Sequence, residues 1–383
     1  MNDFKLLRQE PFLEIIRLLD NKAFFVGGCV RDVLFSKSVG DVDMATSFEP
    51  GEVMKRFQKA GYRVVPTGIK HGTVTVVLPS KETVEITTFR KDTQTDGRHA
   101  EVRFLSSMKE DAFRRDLTIN ALYLDAEGKL YDFCDGARDL KKKRVRFIGC
   151  ATQRIQEDAL RILRFFRFWG VFGGNVPDKQ AFKACRQCRF LLKKLSKERQ
   201  RDELLKILSL PRVMDVLRQM QKAHILKMLI PTSPTALFRL QKLVSREKFL
   251  GVPFNPLLHL WALSEISVDL KLSNTQKAFL KKLSSAVQYP LKTQKDALTI
   301  LYLFGWDVFD AVLLLKKKNL SFCAWHFYHR LKRPVFPIAA TDIQRKEGVS
   351  GKALGQKLKA YEQKWMLLGF PSEKKVVFSS KKE

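Results

Sequence analysis

Two aspartates one residue apart, Asp41 and Asp43, flank Val42 in a β-like run. On an extended strand that spacing sends both carboxylates to one face and the valine to the other. Carboxylate oxygens gathered on one face suit a hard divalent cation, although Asp-x-Asp also occurs in turns and as a plain surface pair. Upstream, Gly27 and Gly28 end the apolar run Phe24-Phe25-Val26. Glycines let the backbone approach a ligand closely, and the first amides of a following helix point at an anion, which is how triphosphates are held. Arg31 can add a charge-assisted contact to the same phosphates. A tight turn between strand and helix explains the glycines equally well. Glu85, set between Val84 and Ile86, is the candidate third carboxylate, with an exposed strand glutamate as the other reading.

A second group lies downstream. At about 100° per residue from Asp158, Arg161 falls near 300°, Arg164 near 240° and Arg167 near 180°, while Ala159, Ile162, Phe166 and Trp169 occupy roughly 20–100°. One face packs and the other is an arginine stripe. The stripe reads either as a nucleotide-reading surface or as a solvated face with an Asp158/Arg161 ion pair worth roughly 0.2–0.5 kcal/mol.

Two kinds of scaffold must position these groups. Residues 1–150 mix short strands with turns: Phe24 to Val26, the strand around Val42, then Tyr62 to Val65, Thr73 to Leu78 and Thr83 to Phe89. Val30 to Phe35 predicts a helical turn, and Pro50 at a favoured first position opens a helix through about Ala60. Pro79-Ser80-Lys81-Glu82 closes the last two strands into a hairpin. Beyond residue 150 the apolar spacing is helical, with helices near 153–169, 178–192 and 197–208. Gly173-Gly174, Pro211, Pro231 and Pro234 punctuate the sequence that follows, and a polar break spans Ser267 to Asn274. The expected architecture is an α+β head (1–150), a helical neck carrying the arginine stripe (151–210), and a helical body and tail (211–383).

Composition narrows the partner. Of 383 residues, 70 are Lys or Arg and 40 Asp or Glu, a net charge of +30. The basic clusters Lys141 to Lys143, Lys193 and Lys194, Lys316 to Lys318 and the tail KKVVFSSKKE spread the excess along the chain. That distribution suits an extended polyanion such as RNA. No stretch of about 18 uncharged apolar residues is present, and the first residues alternate charge and apolar groups like an amphipathic helix, so neither a membrane span nor export is expected. Six scattered cysteines, with only Cys185 and Cys188 close in sequence, do not make a tetrahedral metal site, and a reduced, cytoplasmic protein is expected.

Five runs then occur in order: Gly27-Gly28-Cys29-Val30-Arg31-Asp32; Asp41-Val42-Asp43; Arg114-Arg115-Asp116-Leu117-Thr118-Ile119-Asn120-Ala121; Asp135-Gly136-Ala137-Arg138-Asp139-Leu140; and Glu157-Asp158-Ala159-Leu160-Arg161-Ile162-Leu163-Arg164. Over about residues 22–208 the chain closely resembles the bacterial-type (class II) tRNA nucleotidyltransferase and poly(A) polymerase family of the polymerase β superfamily. Gly348-Val349-Ser350-Gly351 with Leu354-Gly355 resembles the tail of some bacterial members. The resemblance implies a mixed-sheet nucleotidyltransferase head, with helical domains that grip tRNA. By it, Asp41 and Asp43 match Mg²⁺ ligands, and Gly27, Gly28 and Arg31 match the triphosphate turn. Arg115 and Asp116 match the motif around the ribose, Asp158 and Arg161 the pair that reads the incoming base, and Arg164 and Arg167 further nucleotide contacts. CTP and ATP are the implied substrates; an oligomeric state is not implied.

Chemistry gives the reading pair a reason. Cytosine and adenine each present an amino donor beside a bare ring nitrogen, whereas uracil and guanine present a carbonyl beside an N–H. A carboxylate beside a guanidinium complements the first pattern and opposes the second, so C and A can share one site without a nucleic-acid template. Against the closest rival, a poly(A) polymerase, Gly68-Ile69-Lys70-His71-Gly72-Thr73 resembles the Gly-x-x-His-Gly-Thr run of CCA-adding members. Arg90 to Phe104, with Asp96-Gly97-Arg98, resembles the flexible loop of full CCA-adding enzymes, which argues against CC-only addition and leaves A-only addition open. A catalytically dead RNA-binding protein would not need the aspartates. His326 and His329 have no aspartate adjacent in sequence, so a packed or surface role is expected for them rather than a phosphohydrolase centre.

Overall fold

The computed structural model describes residues 9–95, 100–264, 269–317 and 320–379. Asp96-Gly97-Arg98, the first eight residues, Ser267, Lys318 and the last four residues of the basic tail lie outside the described residues. Two compact units divide the chain: Met1–Leu237 with Ser264–Lys271, and Phe238–Leu263 with Leu272–Glu383. The boundaries expected at 150 and 210 both fall inside the first unit.

The first unit begins α1 (Phe12–Leu18), β1 (Ala23–Val26), α2 (Gly28–Leu34), β2 (Val42–Thr46) and α3 (Pro50–Lys59). Then come β3 (Arg63–Gly68), β4 (Thr73–Val77), β5 (Thr83–Thr88), β6 (Arg90–Thr95), β7 (Ala100–Phe104), α4 (Met108–Arg114), β8 (Leu122–Leu124), β9 (Leu130–Asp132) and α5 (Gly136–Lys141). Seven strands form one sheet in the order β3-β4-β5-β2-β1-β8-β9, and β6 pairs with β7 apart from it. Only the β2/β5 pairing in the large sheet is parallel, as expected of a mixed sheet. The stretch Arg90 to Phe104, expected as a flexible loop, is thus an antiparallel pair whose apex lies outside the described residues.

Strand alternation separates two cores. Phe25, Met44, Val74, Val76, Val84 and Ile86 point into a large core with Ile15, Ile16, Val30, Val53 and Phe57 of the first three helices. Val26, Ala45, Phe89 and Tyr123 face a smaller cluster containing Ala112 of α4. Pro50 does stand at the first position of α3. Ser107 caps α4 by accepting from the Glu110 amide at 3.4 Å. Gly136 opens α5 where a Cβ would lie 2.2 Å from the Thr118 carbonyl oxygen, so no larger residue fits.

From Ala151 onward every regular element among the described residues is helical. The helices are α6 (Ala151–Glu157), α7 (Leu160–Phe172), α8 (Lys179–Gln187), α9 (Lys197–Leu208), α10 (Val213–Lys222) and α11 (Leu226–Leu229). Two expectations need correction. The helix expected over 153–169 is two helices, because Asp158 is extended (φ −152°, ψ 110°) between α6 and α7. The helix expected over 178–192 ends at Gln187, and Arg189–Lys194 continue as a 3-10 turn. α7 buries Ile162, Leu163, Phe165, Phe166, Phe168 and Trp169, and it packs on α9 and α10.

The second unit contains α12 (Ala236–Leu250) from Phe238 on, α13 (Pro256–Leu263), α14 (Asn274–Ala286), α15 (Gln294–Phe304), α16 (Trp306–Lys316), α17 (Phe322–His329), α18 (Ala340–Glu347), α19 (Gly351–Leu367) and α20 (Lys374–Ser379). Gly305, at φ 83°, turns the chain between α15 and α16. Ile338, Ile343, Trp365 and Val377 form a local core. The fully buried His259 and Glu247 bond each other at 2.6 Å. His329, with no aspartate adjacent in sequence, meets one from another helix: its Nε2 lies 3.1 Å from Asp310 Oδ1. No helix among the described residues is long and apolar enough to cross a membrane.

Candidate active site

Asp43 lies on β2 between Val42 and Met44, which point into the large core, so its carboxylate emerges on the opposite face. Asp41 precedes the strand and is exposed. In the parallel β2/β5 register Asp43 stands beside Glu85, whose neighbours Val84 and Ile86 are also turned into the core. Burial pushes the Asp43 carboxyl up to about 6, the Glu85 and Asp41 charges push the same way, and Arg115 and Arg31 pull against them. Burial and like charge together make a site that gains from a cation.

The chain leaves β1 through Gly27 at φ 72°, a conformation that favours glycine, and enters α2. A Cβ there would stand 3.4 Å from Arg115 Nη1. Arg31, on α2, is buried. Its Nη1 donates to Asn120 Oδ1 at 2.6 Å, its Nε and Nη2 donate to Asp32 Oδ1, and its guanidinium lies 4.9 and 4.5 Å from the Phe168 and Phe172 ring centroids. Burial lowers the Arg31 pKa against the pull of Asp32, and Arg167 and Arg164 add to the lowering.

Arg115 is fixed from behind. Its Nη2 donates to Asp111 Oδ2 at 3.1 Å and its Nε to the Tyr123 hydroxyl at 3.1 Å, while that hydroxyl donates to Asp111 Oδ2 at 2.6 Å. Burial alone would raise the Asp111 carboxyl, but Arg115, Arg114 and the Tyr123 hydroxyl hold it at about 2. Asp116 joins head to helices: its Oδ2 accepts from Arg164 Nε at 2.5 Å, and its Oδ1 accepts from the Leu117 amide and Asn120 Nδ2. Its pKa is about 2 despite burial, because of Arg164 and these donors.

The Asp158/Arg161 ion pair of the solvated-face reading does not form. Asp158 Oδ2 accepts from Arg199 Nη2 of α9 at 2.8 Å, and its Oδ1 accepts from the Leu160 amide at 3.0 Å. Arg161 Nη1 donates to Glu157 Oε2 at 2.5 Å and to the Arg154 carbonyl at 3.0 Å. The cause is the break at Asp158: an extended residue does not share the helical face that the wheel assumed. Nor is the arginine stripe a solvated face. Arg164 is bound to Asp116 and Arg167 to Glu203, and both guanidiniums lie over the Phe168 ring.

All of the expected site residues except Glu85 line one cavity of about 810 Å³. Its lining includes eight cations, among them Arg90 and Lys206, and five carboxylates. This balance suits a nucleoside triphosphate whose phosphates meet the glycine turn, with Asp41 and Asp43 left for a cation while Asp32, Asp116 and Asp158 are paired to Arg31, Arg164 and Arg199. Sequence reasoning overlooked Asp111, Tyr123, Arg199 and Glu203, and did not single out Asn120 or Glu157. The i,i+4 spacing of Glu157 to Arg161 signals one of these pairs, whereas nothing in the local pattern marks Tyr123. A second cavity, of about 670 Å³, has most of its charges already occupied. There Arg144 and Arg146 are tied to Asp178 and Asp139, and Asp132 accepts from three backbone amides.

Comparison with known proteins agrees with this geometry. Residues 23–146 match a family described as the poly A polymerase head domain, and residues 177–235 one described as a probable RNA and SrmB-binding site of polymerase A. The chain is 34% identical over 378 residues to the Homo sapiens mitochondrial CCA tRNA nucleotidyltransferase 1, covering 92% of this chain and 85% of that one. It is 36% identical over 310 residues to the Bacillus subtilis (strain 168) CCA-adding enzyme, covering 80% and 74% of the two chains. The crystal structure of the Bacillus stearothermophilus CCA-adding enzyme in complex with CTP matches with a TM-score of 0.73 at 25% identity, over 99% of this chain and 96% of that one.

Proposed function

This chain belongs to the CCA-adding tRNA nucleotidyltransferase family, and from that premise we propose that its 810 Å³ cavity is the one nucleotide site used for every addition. The enzyme adds C, C and A to the 3′ end of tRNA from CTP and ATP without a nucleic-acid template, releasing pyrophosphate. The observation that carries the single-site reading is the convergence of the glycine turn, Asp41, Asp43, Asp158 and Arg161 on that cavity.

In this reading Gly27, Gly28 and Arg31 receive the triphosphate, while Arg115 and Asp116 orient the ribose. Asp41 and Asp43 would hold Mg²⁺, with Glu85 as a third carboxylate beside them. The fit rests on the donor set: hard oxygen ligands whose mutual repulsion and burial raise Asp43 to about 6. Bound there, a divalent cation supplies charge that eases deprotonation of the RNA 3′-hydroxyl and steadies the pyrophosphate. Asp158 accepts from the amino group of C or A and Arg161 donates to the ring nitrogen. U and G would leave buried polar groups unpaired. Arg164 and Arg167 flank the nucleotide. The lysine-rich helical units bind tRNA through phosphates. The six cysteines are free thiols, which supports a cytoplasmic location.

The test is a gel. A tRNA lacking its end, given Mg²⁺, CTP and ATP, should gain three nucleotides and stop, and CTP alone should yield mainly two. Long adenylate tails on unstructured RNA would support a poly(A) polymerase, A added only to tRNA ending in CC would support an A-only enzyme, and no incorporation would favour a binding protein.

A further inference from the structure

α17 carries the sequence FCAWHFYH, five aromatic or imidazole side chains in eight residues besides a second histidine at its end. At about 100° per residue, Trp325, His329, Phe322, His326 and the following Arg330 fall within an arc of roughly 140°. Most of this face is open to water: Phe322 is 54% exposed, and His326, His329 and Arg330 are exposed. Tyr328, on the opposite side, is buried and anchors the helix against Phe309 of α16. An aromatic face left open when the protein has an apolar core available marks a contact surface.

The rings are also held in place. His329 stacks at 5.4 Å and 23° on Trp306 and lies 4.4 Å from Trp325. Both of its nitrogens are engaged, Nδ1 with the Trp325 carbonyl at 2.9 Å and Nε2 with Asp310 at 3.1 Å. Phe322 packs against His326 at 4.3 Å in an edge arrangement. Rings whose orientation is already fixed lose little entropy when another flat group is laid on them.

Charge selects the partner. Lys317 lies 5.6 Å from the ring centroid of Tyr328, on the buried side of the same helix. On the aromatic face itself the exposed Arg330 follows His329, in a chain whose net charge is +30. Ordered rings beside an exposed arginine suit unpaired nucleic acid, since bases stack on the rings and a phosphate meets the cation. We propose that α17 is a stacking platform for unpaired nucleobases of the tRNA substrate, an inference that rests on the reading above.

The experiment measures tRNA affinity of the full chain by gel shift across a salt series, with addition kinetics alongside. Phe322→Ala should weaken binding about tenfold at every salt concentration without changing the log–log salt slope, because stacking releases no counterions. Phe322→Trp should restore the affinity. Arg330→Ala should reduce the steepness of the slope by about 0.7–0.9, the signature of one lost phosphate contact. In kinetics the Phe322→Ala loss should fall on KM for tRNA and not on KM for CTP. Unchanged tRNA affinity in a Phe322→Ala protein with wild-type circular dichroism overturns the proposal. If the same substitution abolishes a dimer seen by sedimentation while tRNA affinity holds, the face belongs to protein contact and the proposal is likewise overturned. Failure of the wild type to add CCA would sink the enzymatic reading alone, because the platform is read out as binding.

Discussion

Replacing Asp43 by Asn removes a charge with almost no change of shape, and the effect on stability should oppose the effect on activity. The carboxyl is raised from an ordinary 3.8 to about 6, chiefly by burial and then by Glu85. A carboxyl raised on folding is a liability when ionised. Below pH 3.8 it is protonated in both folded and unfolded chains and contributes nothing. The penalty grows between pH 3.8 and 6 and is complete above pH 6. At about 1.4 kcal/mol per pH unit it reaches about 3 kcal/mol, and water access to a half-buried group reduces this to about 1–3 kcal/mol. Calorimetry in EDTA at pH 8 should therefore find Asp43→Asn melting several degrees above wild type, with the gap closing as pH falls to 4. In a Glu85→Gln background the gap should shrink, because one source of repulsion is gone. Excess divalent cation should reverse the order by binding the wild type, while nucleotide addition by the variant stays abolished. A variant equal to or less stable than wild type at pH 8 in EDTA would refute the electrostatic reasoning, whatever its activity.

Other substitutions test the remaining parts. Asp158→Ala should degrade discrimination against UTP and GTP as well as rate; unchanged selectivity would make Asp158 only an anchor for Arg199. Arg199→Ala removes the 2.8 Å bond that aims Asp158, and a loss of about 1–2 kcal/mol in discrimination, measured as kcat/KM ratios for CTP over UTP, is expected. tRNA affinity should fall with salt at a log–log slope of roughly −0.7 to −0.9 per phosphate neutralised, and a salt-insensitive complex would contradict phosphate contacts. Gly136→Ala places a methyl where only 2.2 Å separates it from the Thr118 oxygen, so urea unfolding should show a loss of about 2 kcal/mol or more.

Much of the head was readable because strand parity is a strong constraint. Val42, Met44, Val84 and Ile86 are all apolar, and a period of two leaves Asp43 and Glu85 only the opposite face. Their side-by-side register was not readable, since it depends on a parallel pairing across the intervening α3, β3 and β4. The helical periodicity on either side of Asp158 was equally clear, yet it concealed the break, because periodic apolar residues continue through a single extended residue with little phase change. Once that residue is taken out of the helix, Asp158 turns to Arg199 and Arg161 to Glu157. Partners such as Tyr123 for Asp111 meet only through tertiary packing, and no local pattern announces them.

In the proposed reading, the break between α6 and α7 puts the base-reading pair at a joint between helices. Arg164 and Arg167 ride on α7 as parts of a rod, braced by Asp116 of the head and Glu203 of α9. Asp158 hangs from two backbone dihedrals and is steadied by α9, while Arg161 sits in the first turn of that same rod and is tethered back to Glu157 on α6. Acceptor and donor therefore answer to different helices. Arg161 shares α7 with the braced Arg164 and Arg167, whereas Asp158 is held by the extended link and α9, so the spacing of acceptor and donor depends on how that link is held. In the proposed reading, two bases of unequal size meet one pair of jaws whose aperture is set by where α6, α7 and α9 hold Asp158 and Arg161.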